Sequence, residues 1–170
     1  MKKQAGFTLI ELLVVIAIIG ILASVILVSL NSARGKARDA QRRSDAVQIT
    51  TAIQLYFNAN SVWPPSGGAT APNAGWSNSS DGTWATLATA LQPYIPSLDK
   101  DPQQSANASI WAASTGGGAY SYVNCGRTYM FVYQLENANG TDPGATCNGA
   151  FYQYGGTGSS TAVKTIGDSY

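Results

Sequence analysis

The sequence predicts an α+β protein, a long N-terminal helix packed on a small antiparallel sheet, and three observations lead there. Residues 12–30 contain no charge and are almost wholly apolar. The helical pattern then continues without a proline until Pro64. Alternating aromatic and apolar residues appear only late, at 120–123 and 128–135. A length of 170 residues leaves room for one modest domain and an added element, not two full domains.

The helix is justified first. Residues 12–30 make ~28 Å of helix at ~1.5 Å per residue, about one hydrocarbon core. About seventeen strongly apolar side chains from Phe7 to Leu30, at roughly 0.3–0.6 kcal/mol each, outweigh the roughly 2.5–3.5 kcal/mol of one carboxylate at the bilayer centre. Glu11 therefore does not prevent a span. A cleaved secretory signal would have a shorter apolar region ending at a small-x-small site. A plain signal anchor is the stronger rival.

Beyond Leu30, two stripes recur at helical spacing. Ala33, Ala37, Ala40, Ser44, Val47 and Thr51 form one; Ala46, Ile49, Ile53, Tyr56 and Phe57 form the other, which should pack on the sheet. A helix over 7–58 would be ~78 Å long, with Gly20 and Gly35 as its weak points. Pro64, Pro65 and Pro72 mark an irregular connection over 58–82, with Trp63 and Trp76 as anchors. Ser80 or Asp81 can cap a short helix over 83–91 with Trp84, Leu87, Ala88 and Leu91 on one face. The alternating segments at 120–123 and 128–135 form a hairpin turning at Gly126, with further strands at 151–154 and 161–166.

Composition narrows the function. Only 11% of residues are charged and the net charge is +1, so no nucleic-acid footprint is expected. There is no histidine, which removes the usual proton-transfer and metal-ligating side chain. Arg34, Lys36, Arg38, Arg42 and Arg43 cluster just past the apolar run; they could be a phospholipid or nucleic-acid patch but lack interleaved aromatics, and read as a solvated helix face whose partners are Asp39, Asp45 and body carboxylates of neighbouring chains. From Leu55 onward, Lys100, Arg127 and Lys164 face Asp81, Asp99, Asp101, Glu136, Asp142 and Asp168, so the body is mildly acidic.

The N-terminus reads Lys2-Lys3-Gln4-Ala5-Gly6, then Phe7-Thr8-Leu9-Ile10-Glu11-Leu12-Leu13-Val14-Val15-Ile16-Ala17-Ile18-Ile19-Gly20. A basic head, a glycine, a phenylalanine and one glutamate inside an apolar run together resemble the class III signal of the type IV pilin and type II secretion pseudopilin family. The resemblance implies the pilin fold, cleavage between Gly6 and Phe7 by a prepilin peptidase, N-methylation of Phe7 and retention of the helix. It also implies that Glu11 acts in assembly by meeting the Phe7 amine of a neighbouring subunit. An ionisable side chain in a spanning segment is expensive and usually functional.

Orientation carries a conflict. The five cations at 34–43 would draw the C-terminal side to the cytoplasm more strongly than Lys2 and Lys3 draw the N-terminus. The resemblance places the body outside, and we follow it. An extracytoplasmic body favours a disulfide between Cys125 and Cys147, closing a ~23-residue loop for roughly 3 kcal/mol, over two buried thiols. The segment Tyr94-Ile95-Pro96-Ser97-Leu98-Asp99-Lys100-Asp101-Pro102 resembles the stretch before the sheet in major pseudopilins. Glu136, Asn139 and Asp142 stand where that group can hold calcium, but their spacing is better read as ordinary turn chemistry. Asn78, Asn107 and Asn139 fit the glycosylation acceptor pattern, too short a match to use.

The domain reading is a leader over 1–6, a transmembrane and assembly helix over 7–30, its amphipathic half over 31–58 and a globular body over 59–170. No catalytic residue, cofactor or metal is expected. The first function is a structural subunit of a type IV pilus-like filament, and the second is a major pseudopilin of type II secretion. A signal-anchored binding protein is a distant third. The expected partners are further copies of the chain or co-subunits, the prepilin peptidase and N-methyltransferase, an inner-membrane assembly platform and membrane lipid before assembly. The chain should begin as a single-pass protein of the cytoplasmic membrane and end in an extracellular filament.

Overall fold

A computed structural model describes residues 9–67, 75–104, 118–137, 145–147, 149–152 and 162–166. The chain divides into two units, Met1–Ala37 and Arg38–Tyr170. Helix α1, Leu9–Asn60, contributes to both. Gly20 and Gly35 are helical rather than breaks. The helix runs two residues past the expected end. It stops at Ser61, whose φ of 58° is left-handed and whose N–H donates to the Phe57 carbonyl at 2.7 Å.

In the second unit, strands β1 (Ser77–Asn78), β2 (Ser121–Asn124), β3 (Tyr129–Leu135) and β6 (Ala162–Ile166) form an antiparallel sheet in the order β1-β2-β3-β6. Strands β4 (Ala145–Cys147) and β5 (Ala150–Tyr152) pair separately as a hairpin. Helix α2 is Trp84–Leu91. This is the α+β architecture that the sequence predicts. The expected third strand, however, joins the small hairpin, whereas the segment ending at Ile166 takes the place beside β3. Gln153 and Tyr154 lie outside the described residues.

The β2–β3 hairpin turns where expected. Gly126 has φ of 77°, which glycine adopts without steric cost, and its N–H donates to Asn124 Oδ1 at 2.8 Å. Ser121 pairs with Val132 and Asn124 with Tyr129. Strand β3 is buried on both faces, which explains why apolar residues run through it without a polar partner at every second place. Tyr129, Phe131, Tyr133 and Leu135 join Ala46, Ile49, Ala52 and Ile53 of α1 and Trp84, Leu87 and Leu91 of α2 in the main core. Met130 and Val132 join Trp76, Val123, Cys125 and Cys147 in a second core. The helix thus packs by the stripe expected of it.

Cys125 and Cys147 form a disulfide with Cα atoms 5.0 Å apart. It ties the turn after β2 to the end of β4. At the start of α2, Asp81 Oδ1 accepts from the Thr83 N–H at 2.8 Å and from the Thr83 hydroxyl. The N-cap is Thr83 and has no side-chain cap hydrogen bond, so neither Ser80 nor Asp81 caps α2; Asp81 instead closes the turn before it. Asn78 is fully buried and its Oδ1 accepts from Ser80, so this acceptor pattern is inaccessible to a glycan. Asn107 and Asn139 lie outside the described residues.

Candidate functional site

Two stretches of α1 carry the chemistry that stands out. In the first unit, the described side chains from Leu9 to Leu27 are exposed, with Leu9 at 78%, Ile21 at 67% and Leu27 at 61%. The helix is long and apolar enough here to cross a membrane. The Ser24 hydroxyl donates to the Ile21 carbonyl at 2.7 Å, so it is satisfied within the helix, as a lipid surrounding would demand. Glu11 stands exposed in the first turn, where the helix dipole favours a carboxylate. Gly6 and Phe7, the expected cleavage and methylation positions, lie outside the described residues.

In the second unit, the same helix buries an arginine. Arg42 is 1% exposed and lies on the face that carries Ala46, Ile49 and Ile53. Its Nε donates to Asp101 Oδ2 at 2.8 Å and its Nη2 to Asp101 Oδ1 at 3.0 Å, a bidentate pair. Its Nη1 donates to Asp39 Oδ1 at 2.9 Å and to Glu136 Oε1 at 2.6 Å. Arg38 grips Glu136 with Nε at 2.8 Å and Nη2 at 2.6 Å. Asp39 in turn accepts the backbone N–H groups of Glu136 at 2.8 Å and Asn137 at 2.9 Å. One helix face therefore holds both the 101–103 turn and the end of β3.

The electrostatics follow from these contacts. Burial by itself would lower the Arg42 pKa, but hydrogen bonds to Asp101, Glu136 and Asp39 outweigh it and raise the value. Burial opposes ionisation of Asp39, yet the two backbone donors, the Asn137 amide and Arg42 hold its carboxyl below the ordinary range. Hydrogen bonding from Arg38, against some burial and with help from Arg42, depresses Glu136. Asp45 behaves oppositely. Burial raises its pKa despite the 2.7 Å hydrogen bond donated by the Tyr120 hydroxyl, and Asp99 and Asp101 add to the rise.

Two expectations are corrected here. The basic run is not uniformly solvated: Arg38 and Arg42 pair with carboxylates of their own chain, because their side chains project from the body-facing side of the helix. Asp45 pairs with Tyr120 rather than with a cation. Glu136 is held by two guanidinium groups, and no cluster suited to a metal occurs among the described residues. Asn139 and Asp142 lie outside them.

The sequence reading did not assemble Arg42, Asp39, Asp101 and Glu136 into one cluster. A signal was present. Stepping back from Ala46 at helical spacing lands on Arg42 and Asp39, charged residues in phase with an apolar stripe. Their carboxylate partners, 59 and 94 residues away, carry no local mark.

Comparison with known proteins bears on the N-terminal region. Residues 1–27 match the prokaryotic N-terminal methylation motif. The type II secretion system core protein G of Vibrio cholerae is 42% identical over 64 residues, covering 38% of this chain and 44% of that protein. Core protein G of Escherichia coli is 42% identical over 62 residues, 36% of this chain and 43% of that protein, and that of Pseudomonas aeruginosa is 35% identical over 63 residues, 37% and 44%. The chain thus spans less than half the length of the curated relatives it matches. No solved structure matches it significantly. The chain carries a prepilin-type N-terminal motif, and over about a third of its length it is similar to the core protein G of type II secretion systems.

Proposed function

We propose that this chain is a pseudopilin, a structural subunit of a type II secretion filament. It is made as a membrane precursor, cut between Gly6 and Phe7 by a prepilin peptidase and methylated on Phe7. The observation that carries this reading is the apolar surface from Leu9 to Leu27, left exposed on a helix whose N-terminus bears the methylation motif. Such a surface requires lipid or other helices around it. In the membrane it is stored; in a filament it packs against copies of itself, delivered by an inner-membrane assembly platform. Glu11 sets the register of an incoming subunit by pairing with the Phe7 amine of a neighbour.

Similarity to core protein G favours secretion over the surface pilus that the sequence reading ranks first. Deleting the gene should abolish export of secreted enzymes while leaving surface filaments intact, and peptide mass spectrometry should find mature chain beginning at N-methylated Phe7. Loss of surface filaments with export unimpaired would restore the pilus reading. A mature form retaining residues 1–6 would refute both.

A further inference from the structure

The five cations at 34–43 are not one group. Arg38 and Arg42 are consumed by Glu136, Asp39 and Asp101. Arg34 and Lys36 are exposed and have no ion-pair partner among the described residues. They also come first after the apolar run. At ~1.5 Å per residue, Arg34 and Lys36 sit ~6 and ~9 Å of helix beyond Leu30. The headgroup layer beside a hydrocarbon core is itself roughly 5–8 Å thick, and long basic side chains extend toward it from either side. Arg43, also exposed, follows Lys36 by about two further turns.

We propose that Arg34 and Lys36, which leave the helix on opposite sides, each bind anionic phospholipid headgroups on the body's side of the membrane while the precursor is stored there. This rests on the membrane-precursor reading. Phosphate chemistry suits both residues, the guanidinium as a planar fork and the ammonium as a compact charge. The neutralised Arg38 and Arg42 contribute nothing to the lipid and Arg43 lies too far along the helix, so two of the five cations act. Juxtamembrane cations near an anionic surface each strengthen association by about five-fold. Their release from lipid phosphate is then a step that assembly requires.

The test uses the full chain with Lys2→Gln and Lys3→Gln, so that the opposite leaflet adds no signal, in nanodiscs of equal phosphatidylcholine and phosphatidylglycerol. Native mass spectrometry counts the lipids that stay bound on release. Phosphatidylglycerol should be enriched over phosphatidylcholine by ten-fold or more, and the preference should fall several-fold in Arg34→Gln and in Lys36→Gln and vanish in the double variant. Arg43→Gln should leave it unchanged. Enrichment that survives the double variant, or falls equally in Arg43→Gln, overturns the proposal. Resistance of the chain to alkaline extraction from membranes is scored in parallel. An extractable chain defeats the membrane-precursor reading itself, whereas an integral chain without lipid preference defeats only the headgroup site.

Discussion

Helix α1 reverses the usual placement of side chains between its two stretches. Near its start, leucines and isoleucines stand exposed; further along, Arg42 is 1% exposed and Asp39 2%. Both are expensive in water-based terms. Exposed leucine is unfavourable by roughly 1.5–3 kcal/mol relative to burial, and a buried charge is costly unless paired and hydrogen-bonded. The two stretches meet these costs differently. The arginine is satisfied inside its own chain by three carboxylates, whereas the apolar stretch can be satisfied only by something outside it. The first stretch therefore calls for lipid or other helices around it, as the proposed assembly would supply, and the second holds the body on its helix.

The sharpest way to break this comparison is at Glu11. Glu11→Ala should leave membrane insertion and processing intact, since removing a carboxylate makes the segment more apolar, yet reduce filament yield by an order of magnitude or more. Charge pairing where water is scarce is strong, and under the proposed processing the Phe7 amine is free only after cleavage. Membrane fractionation, N-terminal sequencing and counts of sheared filaments score the three steps separately, with Glu11→Gln alongside. Normal filament yield in both variants would show that helix packing alone drives assembly.

In the body the corresponding change is Arg42→Ala. It strands Asp101 and Asp39 in a buried site and should cost about 3–5 kcal/mol, a large share of a small domain's stability. Urea unfolding of the detergent-solubilised chain, followed by the fluorescence of the buried Trp63, Trp76 and Trp84, would report it. Combining Arg42→Met with Asp101→Leu should recover much of the loss, because the penalty lies in the unpaired carboxylate. No recovery would mean that the cluster specifies the fold rather than merely balancing its charges.

Removing the disulfide by Cys125→Ser with Cys147→Ser should cost about 3 kcal/mol, since the bridge closes a loop of separation 22. The same unfolding assay applies, and an unchanged midpoint would show that the second core holds the hairpin without the bond. The smallest expected effect is in acid. Asp39 and Glu136 have folded pKa values below their ordinary 3.8 and 4.5, so their stabilisation is present above those values and is lost as pH falls through the lower, folded ones. Asp45 acts oppositely: its raised folded value makes protonation favour the folded form. Asp39→Asn should flatten the loss of stability below about pH 4, and Asp45→Asn should remove a gain that appears at higher pH, as pH falls from the raised folded value toward 3.8.

What could be read from the sequence was what neighbours in the chain decide. The apolar run, the helix through to the prolines, the body-facing stripe of Ala46, Ile49 and Ile53, the turn at Gly126 and the short helix after the Asp81 turn all follow from spacing and from backbone preferences. The N-terminal signal is likewise contiguous, so Gly6, Phe7 and Glu11 were legible as a motif. Tertiary structure alone decided which cations are spent and which have no ion-pair partner among the described residues. Arg34 and Arg42 look alike in sequence, and only the arrival of Asp101 and Glu136 from elements 59 and 94 residues away separates them. It also decided that the strand ending at Ile166 lies beside β3 while β5 pairs with β4. Strand order and buried charge pairs both depend on long-range closure, which no local pattern encodes because the favourable contact forms only after the intervening chain has folded.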